Sequence, residues 1–166
     1  MNNLEKLKSK IDNLQFYVPE LTMVRTGKIE YDVLPKITSS RDVYTHLLNY
    51  IKSNSVIENQ ISVREMAFVI YLNKAYKIIG ISMMFTGGAS ATVIDTRMVW
   101  AGGLIIGSQA IILVHNHPSG KLLPSEQDIA LKNQFKEQSK IMDMPIVDFI
   151  IISQDGYMSF GDDGIL

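Results

Sequence analysis

Apolar positions along the chain repeat with two periods, and the switches between them mark out the elements. Leu4, Leu7, Ile11 and Leu14 recur at spacings of three and four, the seam of a short amphipathic helix that Pro19 closes. The stretch LTMVRTG after it reads as an edge strand. In SSRDVYTHLLNYI a serine cap at Ser39 or Ser40 opens a helix with Val43, Leu47 and Ile51 on one face. His46 falls off that stripe and reads as a boundary residue rather than a ligand.

The period then changes. EMAFVIYLNKAYKIIGISMMF is rich in aliphatic and β-branched residues and is broken at Asn73-Lys74, which predicts two buried strands joined by a tight turn. Asp95 opens a helix in IDTRMVWAGGLIIGSQ, where Gly102-Gly103 either weakens the helix or marks close packing on a sheet. AIILV reads as a buried central strand. Ser125 to about Met142 forms a helix, and VDFIIIS and YMSF are two closing strands. Helices alternate with strands, yet a hairpin is present. The expected fold is therefore α/β, a mixed sheet with helices packed against it.

The totals narrow the classes. A chain of 166 residues with 46% apolar and 20% charged residues is long enough to bury a core. Its 16 basic and 17 acidic residues nearly cancel, so no long-range field draws it to nucleic acid or an anionic membrane. With no cysteine, disulfides, thiolate zinc sites and a cysteine nucleophile are excluded. The longest apolar run, Met66 to Leu72, is far too short to span a bilayer. MNNLEKLKSK lacks the apolar region of a signal peptide, so a cytoplasmic protein is expected.

Two of the three histidines stand one residue apart in VHNHPSGKLLPSEQD, directly behind the apolar AIILV run. Pro118 biases His117 toward extended backbone, so His115 and His117 project to one face with Asn116 opposite. Pro118-Ser119-Gly120 suits a turn. If the next helix starts near Ser125, then Asp128 shares the buried face with Leu131 and Phe135. A carboxylate on that face needs a partner. Two imidazoles and a metal provide one, and two His with one carboxylate leave the open position of a catalytic zinc. His-x-His alone is weak evidence, and Ser125-x-x-Asp128 also resembles a capping box, although such boxes favour Glu or Gln at the last position. The same ligands also suit a non-haem iron oxygenase.

His115-x-His117, seven residues, Ser125, two residues and Asp128 together resemble the JAMM motif of MPN-type zinc metalloproteases and isopeptidases. HNHPSGKLLPSEQD and the ending GYMSFGDDGIL resemble, more narrowly, the RadC family, over roughly residues 37 to 166. The resemblance implies a curved MPN-type mixed sheet, with residues 1–36 as a separate N-terminal helix and edge segment. It further implies one zinc on His115, His117 and Asp128, with Glu65 of REMAFVIYL as general acid/base. Ser125 is expected to donate to a developing oxyanion. Asn116 is expected to brace the loop.

Where the family often carries Asp-His in the strand after the long helix, this chain has Asp148-Phe149. Longer RadC proteins carry a helix-hairpin-helix module that nothing in residues 1–36 resembles. The implied activity is hydrolysis of a peptide or isopeptide bond in a peptide or protein substrate. The N-terminal seam, too short for a stable coiled coil alone, is expected to lie on the domain, with a homodimer contact as the alternative. Two rival functions stand beside it. One is a DNA-repair-associated module, against which the balanced charge counts. The other is an inactive MPN scaffold.

Overall fold

A computed structural model describes residues 34–86 and 94–166. The N-terminal seam and the LTMVRTG stretch lie outside the described residues. Helix α1 spans Ser40–Lys52 and buries Val43, Leu47 and Ile51, with Ser39 as its N-cap in a capping box with Asp42. The box forms because Asp42 accepts the Ser39 N–H while its own N–H bonds the Ser39 hydroxyl. His46 is half-buried and off the buried stripe. A one-turn helix follows, α2 (Ser55–Glu58), started by the Asn54 side chain accepting the N–H groups of Val56 and Ile57. Its turn is too short for apolar periodicity to announce it.

The hairpin in the sequence is β1 (Met66–Leu72) and β2 (Ile78–Thr86), paired antiparallel. Asn73 holds the turn by accepting the N–H groups of Ala75 and Lys77. Every residue of β1 is buried, whereas residues 79–84 of β2 are only half-buried. The expectation of two buried strands is corrected here: β2 is the edge of a five-stranded sheet ordered β2-β1-β3-β4-β5 and has a neighbour on one side only. Strand β3 (Ala110–Asn116) stands at the centre, fully buried. It runs antiparallel to β1 and parallel to β4 (Ile146–Ser153), while β5 (Gly156–Ser159) returns antiparallel. The sheet is mixed, as expected.

Side-chain alternation divides the core in two. Phe68, Ile70, Ile112, Val114 and Ile150 face α1 and α2. Val69, Tyr71, Ile111, Leu113, Phe149 and Ile151 face α3 (Thr96–Ile106) and α4 (Glu126–Met142), meeting Val99, Trp100 and Phe135. Asp95 caps α3 by accepting the Arg97 N–H. Among the described residues no helix is long and apolar enough to cross a membrane.

Gly102 shows why the paired glycines sit inside α3. A Cβ there would run into the Tyr71 hydroxyl of β1 and stand 3.3 Å from Met84 Cε. Tyr71 cannot retreat freely, because its hydroxyl donates to the Val99 carbonyl at 3.1 Å. The glycines let the helix lie close on the sheet. Gly102→Ala is therefore expected to lose about 1–3 kcal/mol through overpacking, read as a lower midpoint in urea. An unchanged midpoint would refute the close-packing account.

Candidate metal centre

Alternation along β3 carries straight into the site. Ile111, Leu113 and His115 share one face, so His115 points to the α4 side. The register Ala67↔His115, extended by two residues, sets Glu65 opposite His117 and Met66 opposite Asn116. One bond prolongs the strand past its formal end, the His117 N–H donating to the Ile152 carbonyl at 2.8 Å. The chain then turns, with the Gly120 N–H on the His117 carbonyl at 3.0 Å and Gly120 at φ +81°, a region that favours glycine. That turn brings the Lys121 carbonyl within 2.6 Å of His117 Nδ1.

Asp128 arrives from the first turn of α4. Ser125 and Asp128 form a complete capping box: the Ser125 N–H and hydroxyl both donate to Asp128 Oδ2 at 2.7 Å, and the Asp128 N–H donates to Ser125 Oγ at 3.2 Å. The same carboxylate meets both imidazoles. His115 Nε2 lies 3.2 Å from Oδ1 and His117 Nε2 lies 3.5 Å from Oδ2. The capping and ligand readings of the sequence are therefore not rivals, because the side chain that caps α4 also stands against both imidazoles. His115 and Asp128 are 5% and 6% exposed, so this is a buried polar cluster.

The donor set fits a divalent metal. One ligand atom each from His115, His117 and Asp128 lies within 4.8 Å of the others. A His117 Nδ1–H donating to Lys121 leaves the Nε2 lone pair turned toward the cluster, the arrangement of a ligating histidine. Burial pushes His115 down to about 4, outweighing the Asp128 charge, so its ring is neutral near pH 7. Burial also works against the charge on Asp128. The His117 hydrogen bond, the His115 charge and the two Ser125 donors prevail, and its pKa falls to about 2. His115 differs from His117 in its support. Its Nδ1 has no hydrogen-bond partner among the described residues, and its ring packs edge-on against Phe149 at 5.9 Å. Phe149 thus orients this imidazole by packing, where a ligating ring more often has a hydrogen bond.

Glu65 and Ser125 line the same cavity of about 580 Å³ as the three donors. Glu65 also adds to the pull that raises the His117 pKa. Its backbone is held from the far side of the sheet. Asn116 Oδ1 accepts the Met66 N–H at 2.6 Å, and its Nδ2 donates to the carbonyls of Ile61 and Arg64 at 2.5 and 2.8 Å. Asn116 therefore braces the segment entering β1 rather than its own loop, and clamps the residues on either side of Glu65. Sequence reasoning missed this role, since the bonds run to backbone groups about 50 residues away. His46 is outside the donor cluster. Asp148, beside Phe149, is spent on structure: it accepts from the Ser159 hydroxyl and the Gly161 N–H.

Comparison with known proteins identifies a family. The RadC-like JAB domain family matches residues 37–165. A UPF0758 protein of Flavobacterium johnsoniae is 37% identical over 132 residues, 80% of this chain and 54% of that protein. A UPF0758 protein of Porphyromonas gingivalis is 39% identical over 104 residues, covering 62% of this chain and 46% of that protein. One from Thermotoga maritima is 29% identical over 140 residues, covering 84% and 61%. The chain spans about half the length of the first two.

Protons would compete with a metal at this cluster. The Asp128 hydrogen bond, opposed by burial and aided by the Lys121 carbonyl and the Asp128 and Glu65 charges, raises the His117 pKa above the ordinary imidazole value. A metal needs that nitrogen unprotonated. Zinc affinity is accordingly expected to fall by about tenfold for each pH unit below the His117 pKa, which the Asp128 hydrogen bond holds above the ordinary imidazole value. Competition with a chromogenic chelator at pH 8, 7 and 6 measures it. Affinity that stays flat across this range would contradict the assigned ligand.

Proposed function

The chain belongs to the RadC-like JAB domain family, and from that membership we propose that it is a zinc-dependent hydrolase of a peptide or isopeptide bond. The observation that carries the reading is the convergence of a His-His-Asp donor set, a glutamate and a serine on one cavity wall. Two imidazoles and one carboxylate leave room for water and a carbonyl, the composition of a catalytic rather than a structural site. Zinc held there would supply Lewis acidity and lower the pKa of a water to about 7.

The chain's own residues divide the remaining work. Glu65, held beside His117 by the Asn116 clamp, takes a proton from the attacking water and returns it to the departing amine. The Ser125 hydroxyl turns from Asp128 to the developing oxyanion. Because the Ser125 N–H also bonds Asp128 Oδ2, the carboxylate keeps one anchor when the hydroxyl leaves. The cavity volume suits a short stretch of polypeptide rather than a whole folded partner. The near-balance of charge favours a peptide over a nucleic acid as the ligand.

Glu65→Gln separates proton transfer from metal binding. Screened on peptide and isopeptide libraries, the zinc-loaded wild type is expected to cleave at least one substrate. The Gln variant should retain its zinc and lose at least about a hundredfold in turnover. Cleavage that survives Glu65→Gln, or that persists after zinc is stripped, would contradict the proposal.

A further inference from the structure

Next to the donor cluster the chain displays a leucine to solvent. Leu123 is 81% exposed, stands two residues before Ser125, and lines the same cavity as His115, His117 and Asp128. Its exposure is not that of a loose loop tip. Leu122 is half-buried against the core, the chain bends at Leu123, and Pro124 biases Leu123 away from helical backbone. Leu123 thus stands outside the core, on the cavity lining. Pro124 and the Ser125 cap, itself tied to Asp128, keep it there.

Two more large apolar side chains line the cavity from other elements. Ile94, one residue before the α3 cap, and Leu131, in the second turn of α4, are partly buried against the core and line the same cavity. Apart from the donor set, the described wall carries one acid, Glu65, and one base, Lys121. Their charges oppose each other, so the wall favours neither sign of substrate side chain. Ligand sites of this kind are mainly apolar, with a few placed polar groups that fix orientation.

Resting on the hydrolase reading above, we infer that Leu123, Ile94 and Leu131 form a subsite for an aliphatic side chain on the acyl residue of the scissile amide. The occupant is a leucine-like residue whose carbonyl lies at the donor cluster. Leu123 is then a specificity-determining residue, and the preferred substrate class is a peptide with a branched aliphatic residue on the acyl side of the cut.

The test uses two hydroxamates with the same metal-binding head. Acetohydroxamate carries no side chain, whereas isocaproyl hydroxamate carries the acyl group of leucine without its amine. Calorimetric titration of the zinc-loaded full chain is expected to give roughly tenfold tighter binding for the isocaproyl compound. Leu123→Ser, at a solvent-facing position, should remove most of that advantage while leaving acetohydroxamate affinity unchanged. Equal binding of the two compounds by the wild type, or an advantage that survives Leu123→Ser, overturns the subsite and leaves the metal centre standing. If neither compound binds the zinc-treated chain, the metal reading fails, and the subsite with it.

Discussion

A single buried carboxylate joins the fold to the candidate chemistry. Asp128 takes two hydrogen bonds from Ser125 on Oδ2, which fixes where α4 begins, and it meets both imidazoles at 3.2 and 3.5 Å. Burying such a group is costly unless its partners are in place. The start of α4, the turn after β3 and the orientation of two histidines are thereby tied to one another. A shift in any of them exposes the carboxylate to an unpaired interior. The same constraint would serve metal binding, since three possible donors are already gathered within 4.8 Å of one another.

The second organising constraint is the two-residue period of β3. Odd positions 111, 113 and 115 face α4, and even positions 112, 114 and 116 face α1 and α2. One face ends in a candidate metal ligand, His115, the other in an amide that clamps backbone. Asn116 reaches across to Met66, Arg64 and Ile61, so its strand holds the ligands on one side and the neighbours of the candidate base on the other. The placement of the candidate base beside the donors thus follows from the β1–β3 register, which is strongly specified where both faces are buried.

Much of this was legible in the sequence because it depends on local spacing. The His115-x-His117 alternation, the burial of Asp128 and Phe135 on one helix face and the Ser39, Asp95 and Ser125 caps each follow from a few consecutive residues, and the structure has them, with Leu131 only half-buried on that face and Lys132 buried in addition. What was illegible runs through backbone groups or across the sheet. The Lys121 carbonyl that fixes the His117 tautomer carries no sequence signal. The edge position of β2 depends on strand order, which its composition does not encode. Glu65 reads as a solvated charge until the β1–β3 register sets it opposite His117. In the sequence the capping box and the ligand set look like alternatives for Asp128, because spacing does not show that one carboxylate has lone pairs enough for both.

The central claim is that His115, His117 and Asp128 bind one metal through the atoms now facing each other. A zinc-edge anomalous difference map, from crystals of the full chain grown with zinc, tests it most directly. The account predicts one strong peak bounded by His115 Nε2, His117 Nε2 and an Asp128 oxygen, with the His117 Nδ1–Lys121 bond intact. A map with no density there, the imidazoles still resting on the carboxylate, would contradict it.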